Sequence, residues 1–169
     1  DAFFAALQVG DRGEVIGIDM TTEQLNKAES LSRQYNFKQV VFRNSYIESI
    51  PVVSGSIDAV ISNGVINLSS EKEKVFREAA RVLKTGGRLA LSDIATTVKL
   101  PDNISCNATL WAACIGGAMQ IDEYYALIEG AGMKVIKVKE NPYQFLSNSA
   151  KGATKDYGIK SISLLAIKQ

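Results

Sequence analysis

One stretch of the chain, residues 57–68, constrains the fold more than any other. It reads Ile-Asp-Ala-Val-Ile-Ser-Asn-Gly-Val-Ile-Asn-Leu, and its first half is a compact apolar run with β-branched residues. Such a run is typical of a buried central strand in a parallel sheet. The run stops at Ser62, Asn63 and Gly64, and a glycine lets a backbone approach a ligand closely. Ligands of open α/β sheets bind outside the carboxyl ends of strands. We therefore expect chemistry at residues 62–68, with an ordinary strand-to-helix loop as the alternative.

The segments around this stretch alternate between strand and helix patterns, which predicts an α/β fold. Three such units in succession imply a parallel sheet with right-handed crossovers. Residues 100–119 have the apolar content of a buried helix, and residues 141–157 predict a surface loop or a short helix. The other predicted strands are Gly13–Asp19, Gln39–Arg43, Gly87–Asp93, Met133–Val138 and Ser161–Lys168.

Composition excludes several classes of protein. The 169 residues correspond to a single domain, 1–169. A net charge of +1 without charged blocks indicates neither a nucleic-acid partner nor a membrane-surface partner, and no apolar run could span a bilayer. Two cysteines make no disulfide framework and nothing indicates export, so a reducing cytoplasm is expected. The chain has no histidine, which removes the histidine-based triads and metal sites.

Two further strand ends carry candidate binding residues. Asp19 ends the first strand, and an acid at that position commonly accepts hydrogen bonds from ribose hydroxyls; capping of the next helix is the alternative. Ile47 and Glu48 lie in the loop after the second strand, although a solvated Glu48 is equally expected. We expect the strand ends at Asp19, Ser45 and Asn63 to converge on one crevice.

The order of these motifs resembles one family. A strand ending in Asp19, the loop 45–51, the strand 57–63 and the run Arg-Val-Leu-Lys-Thr-Gly-Gly-Arg-Leu at 81–89 follow one another. This series resembles the class I S-adenosylmethionine-dependent methyltransferases over nearly the whole chain, with Thr85 where proline is usual. Residues 60–68 and the run Cys-Ile-Gly-Gly-Ala at 114–118 resemble the arsenite methyltransferase branch. The C-methyltransferases of menaquinone and ubiquinone biosynthesis are more distant.

The resemblance implies a Rossmann-like methyltransferase fold. Its sheet is seven-stranded and mostly parallel, with helices on both faces and an antiparallel last strand. The implied cofactor is S-adenosyl-L-methionine. The positions that match cofactor-binding residues of the family are Asp19 for the ribose, Met20 for the adenine face, Ile47 and Glu48 for the adenine edge, and Asn63, Gly64 and Val65 for the methionine moiety.

The chain departs from the family at its N-terminus. The family's first strand and its Gly-rich loop would precede Asp1, so we expect an N-terminally truncated fold. The missing strand would leave edges exposed on Gly13–Asp19 and Ile57–Ser62, which favours association through those edges. We also expect weak cofactor binding and possible inactivity of the chain alone, because the backbone cradle for the cofactor carboxylate is lost with that loop.

The second departure concerns cysteines that hold trivalent arsenic in the resembled branch. Gly64 stands where the branch has one such cysteine, Cys114 matches another, and Cys106 matches none. The resemblance makes Cys114 a candidate arsenic ligand; the alternative is that both cysteines are small buried residues of a helix. Trp111 is a candidate for the roof of the acceptor pocket, and an aromatic core residue is its alternative.

Three functions follow as hypotheses. The first is S-adenosylmethionine-dependent methyl transfer to a small-molecule acceptor, with trivalent arsenic as the acceptor. The second is a methyltransferase for a quinone-type or other small organic acceptor, and the third is a catalytically inactive Rossmann-like binding module. A soft nucleophile needs no general base, which fits a chain without histidine. No residue is assigned as catalytic, and no resident metal is expected.

Overall fold

The computed structural model describes residues 1–112, 114–142 and 148–169. These residues form two compact units, Asp1–Pro51 and Val52–Gln169, and each unit combines helices with a sheet. The α/β class that the sequence predicts is thus confirmed, whereas the interpretation as a single domain stays a prediction. No helix in the described ranges combines the length and the apolar composition needed to cross a membrane.

The first unit is a β-α-β arrangement preceded by a helix. Strands β1 and β2 are parallel, with Asp19 paired opposite Asn44. Gly10 ends the first helix with φ of 66°, a left-handed conformation that glycine adopts without a steric penalty. The ring of Phe3 stacks on Phe37 at 4.9 Å and fixes that helix on the unit. The elements are α1 (Ala2–Val9), β1 (Val15–Asp19), α2 (Thr22–Gln34) and β2 (Val40–Asn44).

The second unit holds one mixed sheet with the strand order β3-β4-β7-β6, and β5 pairs with β4. Strands β3 and β4 are parallel, and β7 is antiparallel to both β4 and β6. The predicted antiparallel last strand is therefore confirmed. The elements are β3 (Ile57–Asn63), a 3-10 turn (Ile66–Leu68), α3 (Lys72–Val82), β4 (Leu83–Thr96), α4 (Asp102–Ser105), α5 (Ala108–Ala112), β5 (Met119–Gln120), α6 (Ile121–Gly130), β6 (Met133–Asn141), α7 (Asn148–Tyr157) and β7 (Lys160–Lys168).

Alternate residues of β4 and β7 point to the same face of the sheet and form the core of the second unit. Leu89 and Leu91 are buried and pair with Ala166 and Leu164, which are buried as well. Helix α3 presents one apolar stripe, and its Phe76 meets Tyr124 of α6 edge to face at 5.9 Å. Both rings are fully buried. The core thus lies where β4, β7, α3 and α6 meet, and it supports the carboxyl end of β4.

Two predictions about local structure are wrong. Strand β3 was expected to be buried, but Ile61 is 49% exposed because β3 pairs with β4 alone in the described structure. Residues 100–119 do not form one buried helix: they form α4, α5 and a turn, since Asn107 and the glycines at 116–117 interrupt any regular stripe. The prediction of a surface loop or short helix at 141–157 is confirmed in part, because Asn148–Tyr157 form the helix α7. Asn141 instead ends β6, and residues 143–147 lie outside the described residues.

Candidate functional site

The first unit brings together the candidate residues at its two strand ends. The Ser45 N–H donates to the carbonyl of Asp19 at 3.1 Å, so the loop after β2 starts beside the end of β1. One carboxylate oxygen of Asp19 accepts a hydrogen bond from the Thr21 N–H at 2.8 Å. This hydrogen bond to Thr21, the residue before α2, agrees with the alternative that Asp19 supports the start of that helix. Binding of a ribose by Asp19 stays a prediction. Met20 is 62% exposed beside it.

The later residues of that loop lie in the same unit. Ile47 and Glu48 are half-buried, and the Ser45 hydroxyl donates to the carbonyl of Ser49 at 2.6 Å, which closes the loop on itself. The loop therefore follows the carboxyl end of β2 directly, where the sequence predicts it. The assignment of Asp19, Met20, Ile47 and Glu48 to the cofactor stays a prediction.

The second unit has a cavity at the carboxyl ends of β3 and β4, hereafter the strand-end cavity. Its volume is about 150 Å³. This is the edge at which open α/β sheets bind ligands. The lining residues are Asn63, Gly64, Ser92, Asp93, Ile94, Cys114 and Ser161. Three residues predicted from sequence to bind ligands, Asn63, Gly64 and Cys114, therefore line the same cavity, whereas Val65 is absent from the lining and is 40% exposed.

The thiol of Cys114 is aimed at the backbone of Gly64. Its Sγ donates to the Gly64 carbonyl at 3.2 Å, across 50 positions of sequence. Gly64 has φ of 68°, and a Cβ built on it would meet nothing within 4 Å. The two positions that match arsenic-binding cysteines of the resembled branch are therefore neighbours in space, although one of them carries no thiol.

Cys114 itself has an unusual backbone conformation. Its φ is 59°, in the left-handed region that few non-glycine residues adopt. Such strain costs about 1 kcal/mol or more and persists only where the surroundings hold it in place. The Asn67 side chain donates to the Cys114 carbonyl at 3.2 Å and contributes to that restraint. A strained residue in a cavity is a signal of function rather than of packing alone.

Asn67 is the centre of a buried hydrogen-bond network. Its side-chain amide donates to an Asp93 carboxylate oxygen at 2.8 Å and to the Ile94 carbonyl at 2.6 Å. Its backbone N–H donates to the other Asp93 oxygen at 3.2 Å, and its side-chain carbonyl accepts from the Tyr124 hydroxyl at 2.6 Å. Asn67 thereby joins the turn after β3, the end of β4, the Cys114 loop and α6. The network fixes the walls of the strand-end cavity relative to one another.

Burial dominates the electrostatics of this network. It raises the pKa of Asp93, although hydrogen bonds from Ile94 and Asn67 and the charge of Lys72 act in the opposite direction. Burial also lowers the pKa of Lys72, against the attraction of Asp93. The pKa of the Cys114 thiol is raised, first by burial and then by Asp93. The free thiol is therefore held in its protonated form more firmly than an exposed one.

The remaining two candidate residues, Cys106 and Trp111, both lie outside the lining of the strand-end cavity. Cys106 is exposed after α4, so its interpretation as a buried residue is wrong, because the helix that would bury it does not form. Trp111 is half-buried, with the Lys72 ammonium 6.0 Å from its ring centroid, and it is absent from the lining of the strand-end cavity. Its role at the acceptor pocket stays a prediction.

Sequence reasoning missed two groups of residues. The network of Asn67 and Tyr124 was not foreseen, although a polar Asn inside the apolar run Val-Ile-Asn-Leu was an available signal of a buried hydrogen-bond hub. The serines Ser92 and Ser161 were not foreseen either, since only the pairing of β4 with β7 brings them to the same cavity.

Comparison with known proteins gives a consistent result. A family model described as a methyltransferase domain matches residues 1–132. The arsenite methyltransferase of Halobacterium salinarum is 37% identical over 150 residues, covering 88% of this chain and 38% of that protein. The human arsenite methyltransferase is 39% identical over 141 residues, covering 78% of this chain and 38% of that protein. The chain thus spans about two fifths of the length of these relatives.

A solved structure shows the same similarity in three dimensions. The crystal structure of an arsenic(III) S-adenosylmethionine methyltransferase from Chlamydomonas reinhardtii superimposes with a TM-score of 0.83 at 28% identity, covering 100% of this chain and 60% of that one. The chain therefore belongs to the class I S-adenosylmethionine-dependent methyltransferases. Within that family it falls on the arsenite methyltransferase branch, as the motifs at 60–68 and 114–118 indicated.

Proposed function

We propose that this chain contributes to S-adenosylmethionine-dependent methyl transfer to trivalent arsenic. The observation that carries the proposal is the Cys114 thiol, which lines the strand-end cavity and lies 3.2 Å from the carbonyl of Gly64. The curated relatives named above, which are arsenite methyltransferases, support the same acceptor. They do not favour a quinone-type acceptor or an inactive binding module.

The methyl donor of this family is S-adenosylmethionine. In the first unit, Asp19 would accept hydrogen bonds from the ribose hydroxyls. The Thr21 N–H donates to one carboxylate oxygen, and no group in the described ranges donates to the other. Met20, Ile47 and Glu48 would contact the adenine. In the second unit, Asn63, Gly64 and Val65 would contact the methionine moiety, and Gly64 permits close approach because it has no side chain.

Capture of arsenic needs no separate base. The Cys114 thiol attacks a hydroxyl-bearing arsenic(III) centre, an arsenic–sulfur bond forms, an arsenic–oxygen bond breaks, and the thiol proton leaves with the hydroxide as water. Because the pKa of Cys114 is raised by burial, the thiol retains the proton that this exchange consumes. A soft thiolate is the ligand that a soft arsenic(III) centre prefers.

Methyl transfer then requires positioning rather than acid–base chemistry. Bound S-adenosylmethionine would supply an electrophilic methyl group, and Cys114 would hold the arsenic with its lone pair free to accept that group. Alignment of the two reacting atoms supplies most of the acceleration of such a step. Gly64 brings no second thiol, and Cys106 does not line the cavity, so among the described residues Cys114 forms the arsenic–sulfur bond there. The thiol must stay reduced, which fits the cytoplasmic location predicted from the sequence.

The two cysteines supply a matched test. The protein is incubated with methyl-labelled S-adenosylmethionine and arsenite, and labelled methylarsenic is counted. Cys114→Ser should abolish arsenite-dependent transfer, whereas Cys106→Ser should retain the wild-type rate because that thiol is exposed outside the cavity. Equal activity of the two variants, or no arsenite-dependent transfer by the wild type, would refute the proposed acceptor.

A further inference from the structure

A group of hydroxyl and amide side chains crosses the sheet at the back of the strand-end cavity. The Asn141 amide of β6 donates to Ser92 at 3.4 Å, to Ser161 at 3.2 Å and to Ser163 at 3.0 Å, so its two hydrogens are shared among three hydroxyls. Sheet pairing explains the arrangement, because Ser92 pairs with Ser163 and Asn141 pairs with Ser161. Paired residues present their side chains on the same face of a sheet.

Two of these serines, Ser92 and Ser161, also line the cavity, and we call them the serine pair. Each oxygen of the pair accepts from Asn141, so each hydroxyl hydrogen remains available to donate. Within the described ranges, neither hydroxyl donates a hydrogen bond to a protein atom. Ser163 differs, because its hydroxyl donates back to the Asn141 side-chain carbonyl at 3.2 Å and it is absent from the cavity lining. The serine pair is thus a set of two hydroxyl donors among the residues that line the cavity together with Cys114.

We propose that the serine pair, oriented by Asn141, is an oxygen-binding subsite for the methyl acceptor. It would bind an uncharged hydroxyl oxygen on the acceptor while the Cys114 thiol engages the atom that carries that hydroxyl. The subsite rests on the proposed function and deepens it, because it assigns binding of the acceptor's oxygen to residues separate from the thiol. Ser92 and Ser161 thereby act as specificity-determining residues.

Size and charge both restrict the occupant. A cavity of about 150 Å³ accommodates a ligand of roughly benzene size, so the acceptor group at this place has few heavy atoms. Asp93 lines the same cavity and is 3% exposed, and an anion beside its carboxylate would be repelled whenever that carboxylate is ionised. A neutral hydroxyl, such as those of arsenous acid at neutral pH, meets both conditions, whereas a phosphate-like oxyanion does not.

The test measures arsenite binding by equilibrium dialysis, separately from turnover. Loss of one hydroxyl should raise the dissociation constant for arsenite roughly three- to tenfold, and the Ser92→Ala, Ser161→Ala double variant should show the larger loss. Ser163→Ala is the matched control, since this serine contacts Asn141 but not the cavity, and it should bind as the wild type does. Ser92→Thr keeps a hydroxyl and should retain binding, which separates a lost contact from a folding defect. Inorganic phosphate should not compete.

The outcomes separate the two proposals. Weaker arsenite binding in the double variant, with Ser163→Ala and Ser92→Thr unchanged, supports the subsite even if the wild type transfers no methyl group, a result that would refute the proposed function alone. Equal dissociation constants for wild type and double variant overturn the subsite even if methyl transfer to arsenite is observed. Absence of arsenite binding by the wild type, or displacement of arsenite by phosphate, also overturns it.

Discussion

The hydroxyl of Tyr124 donates a 2.6 Å hydrogen bond to the side-chain carbonyl of Asn67, and neither side chain reaches solvent. This bond ties α6 to the turn that follows β3. The opposite end of the same amide group holds Asp93 and the carbonyl of Cys114. Because a buried polar group that loses its partner keeps its full desolvation cost, this network is both a source of rigidity and a point of vulnerability.

Truncation of Asn67 should therefore lower the free energy of unfolding more than truncation of Tyr124 does. Asn67→Ala leaves the Tyr124 hydroxyl and the Asp93 carboxylate short of partners, and we expect a loss of about 3 kcal/mol in the free energy of unfolding. Tyr124→Phe removes one bond and leaves one acceptor unpaired, so about 1–2 kcal/mol is expected. Urea unfolding monitored by circular dichroism measures both. A smaller effect for Asn67→Ala than for Tyr124→Phe would contradict the central place of Asn67.

Gly117 should be intolerant of any side chain. A Cβ at this position would lie 1.8 Å from the backbone oxygen of Asn67, so the turn after β3 and the Cys114 loop would have to move apart. We expect Gly117→Ala to lower the free energy of unfolding by roughly 2–4 kcal/mol, as overpacking against backbone does. Gly130→Ala is the control, because a Cβ there meets nothing within 4 Å, and its effect should stay within about 1 kcal/mol. Thermal unfolding of both variants is the measurement.

The raised pKa of Asp93 predicts how stability changes with pH. A carboxyl whose folded-state pKa lies above its ordinary value of 3.8 contributes stability that is complete below pH 3.8 and is lost as the pH rises through the folded-state pKa. Asp93→Asn removes this dependence. The free energy of unfolding of the variant, relative to wild type, should therefore increase across that interval and then level off. Urea titrations at a series of pH values measure the difference, and a flat difference would contradict the raised pKa.

Most elements of this fold were predictable because they carry a local signal, unlike residues 100–119. Residues 57–63 form a strand as their apolar run predicts, and α3 follows the stripe of Val75, Phe76 and Ala79. The exposure of Ile61 was not predictable from the run alone, because burial depends on which strands pair on each side. Association through the exposed edges stays a prediction.

The candidate site was predictable only where a motif marks it. Gly64 and Cys114 were singled out from the two motifs, and the structure brings them to 3.2 Å through the hydrogen bond between thiol and carbonyl. Ser92, Ser161 and Asn141 belong to none of the motifs that the sequence offered. They come together only through the register between β4, β6 and β7, because Asn141 is 49 positions from Ser92 and 20 from Ser161 in the sequence.

The left-handed conformation of Cys114 lowers the stability of the fold, whereas the thiol at this position is needed for arsenite binding. Substitutions of Cys114 should therefore change the two properties separately. Glycine adopts φ near 59° without the penalty that a side chain carries, so Cys114→Gly should retain the wild-type free energy of unfolding to within about 1 kcal/mol despite the lost thiol. Cys114→Ala keeps the strain and loses the sulfur contact, so it should be the less stable of the two. Both should lose arsenite binding. Chemical unfolding and dialysis against arsenite measure the two properties, and an alanine variant more stable than the glycine variant would contradict the role of strain.

A second thiol at position 64 should strengthen arsenic capture. The Gly64 carbonyl lies 3.2 Å from the Cys114 sulfur, and a Cβ at Gly64 has no neighbour within 4 Å, so a cysteine there has room beside Cys114. Two thiolates chelate a soft centre more tightly than one, and we expect Gly64→Cys to lower the dissociation constant for arsenite at least roughly tenfold, because a second bond on the same centre gains from effective concentration.

Gly64→Ala is the matched control for that variant. It imposes the same cost of a side chain at φ of 68° without adding sulfur, so any loss of stability common to the two variants belongs to the backbone. Arsenite affinity should rise in Gly64→Cys only, and it should return to the wild-type value or below when Cys114→Ser is added. An equal change of affinity in the alanine and cysteine variants, or a gain that survives Cys114→Ser, would show that positions 64 and 114 do not act on the same arsenic atom.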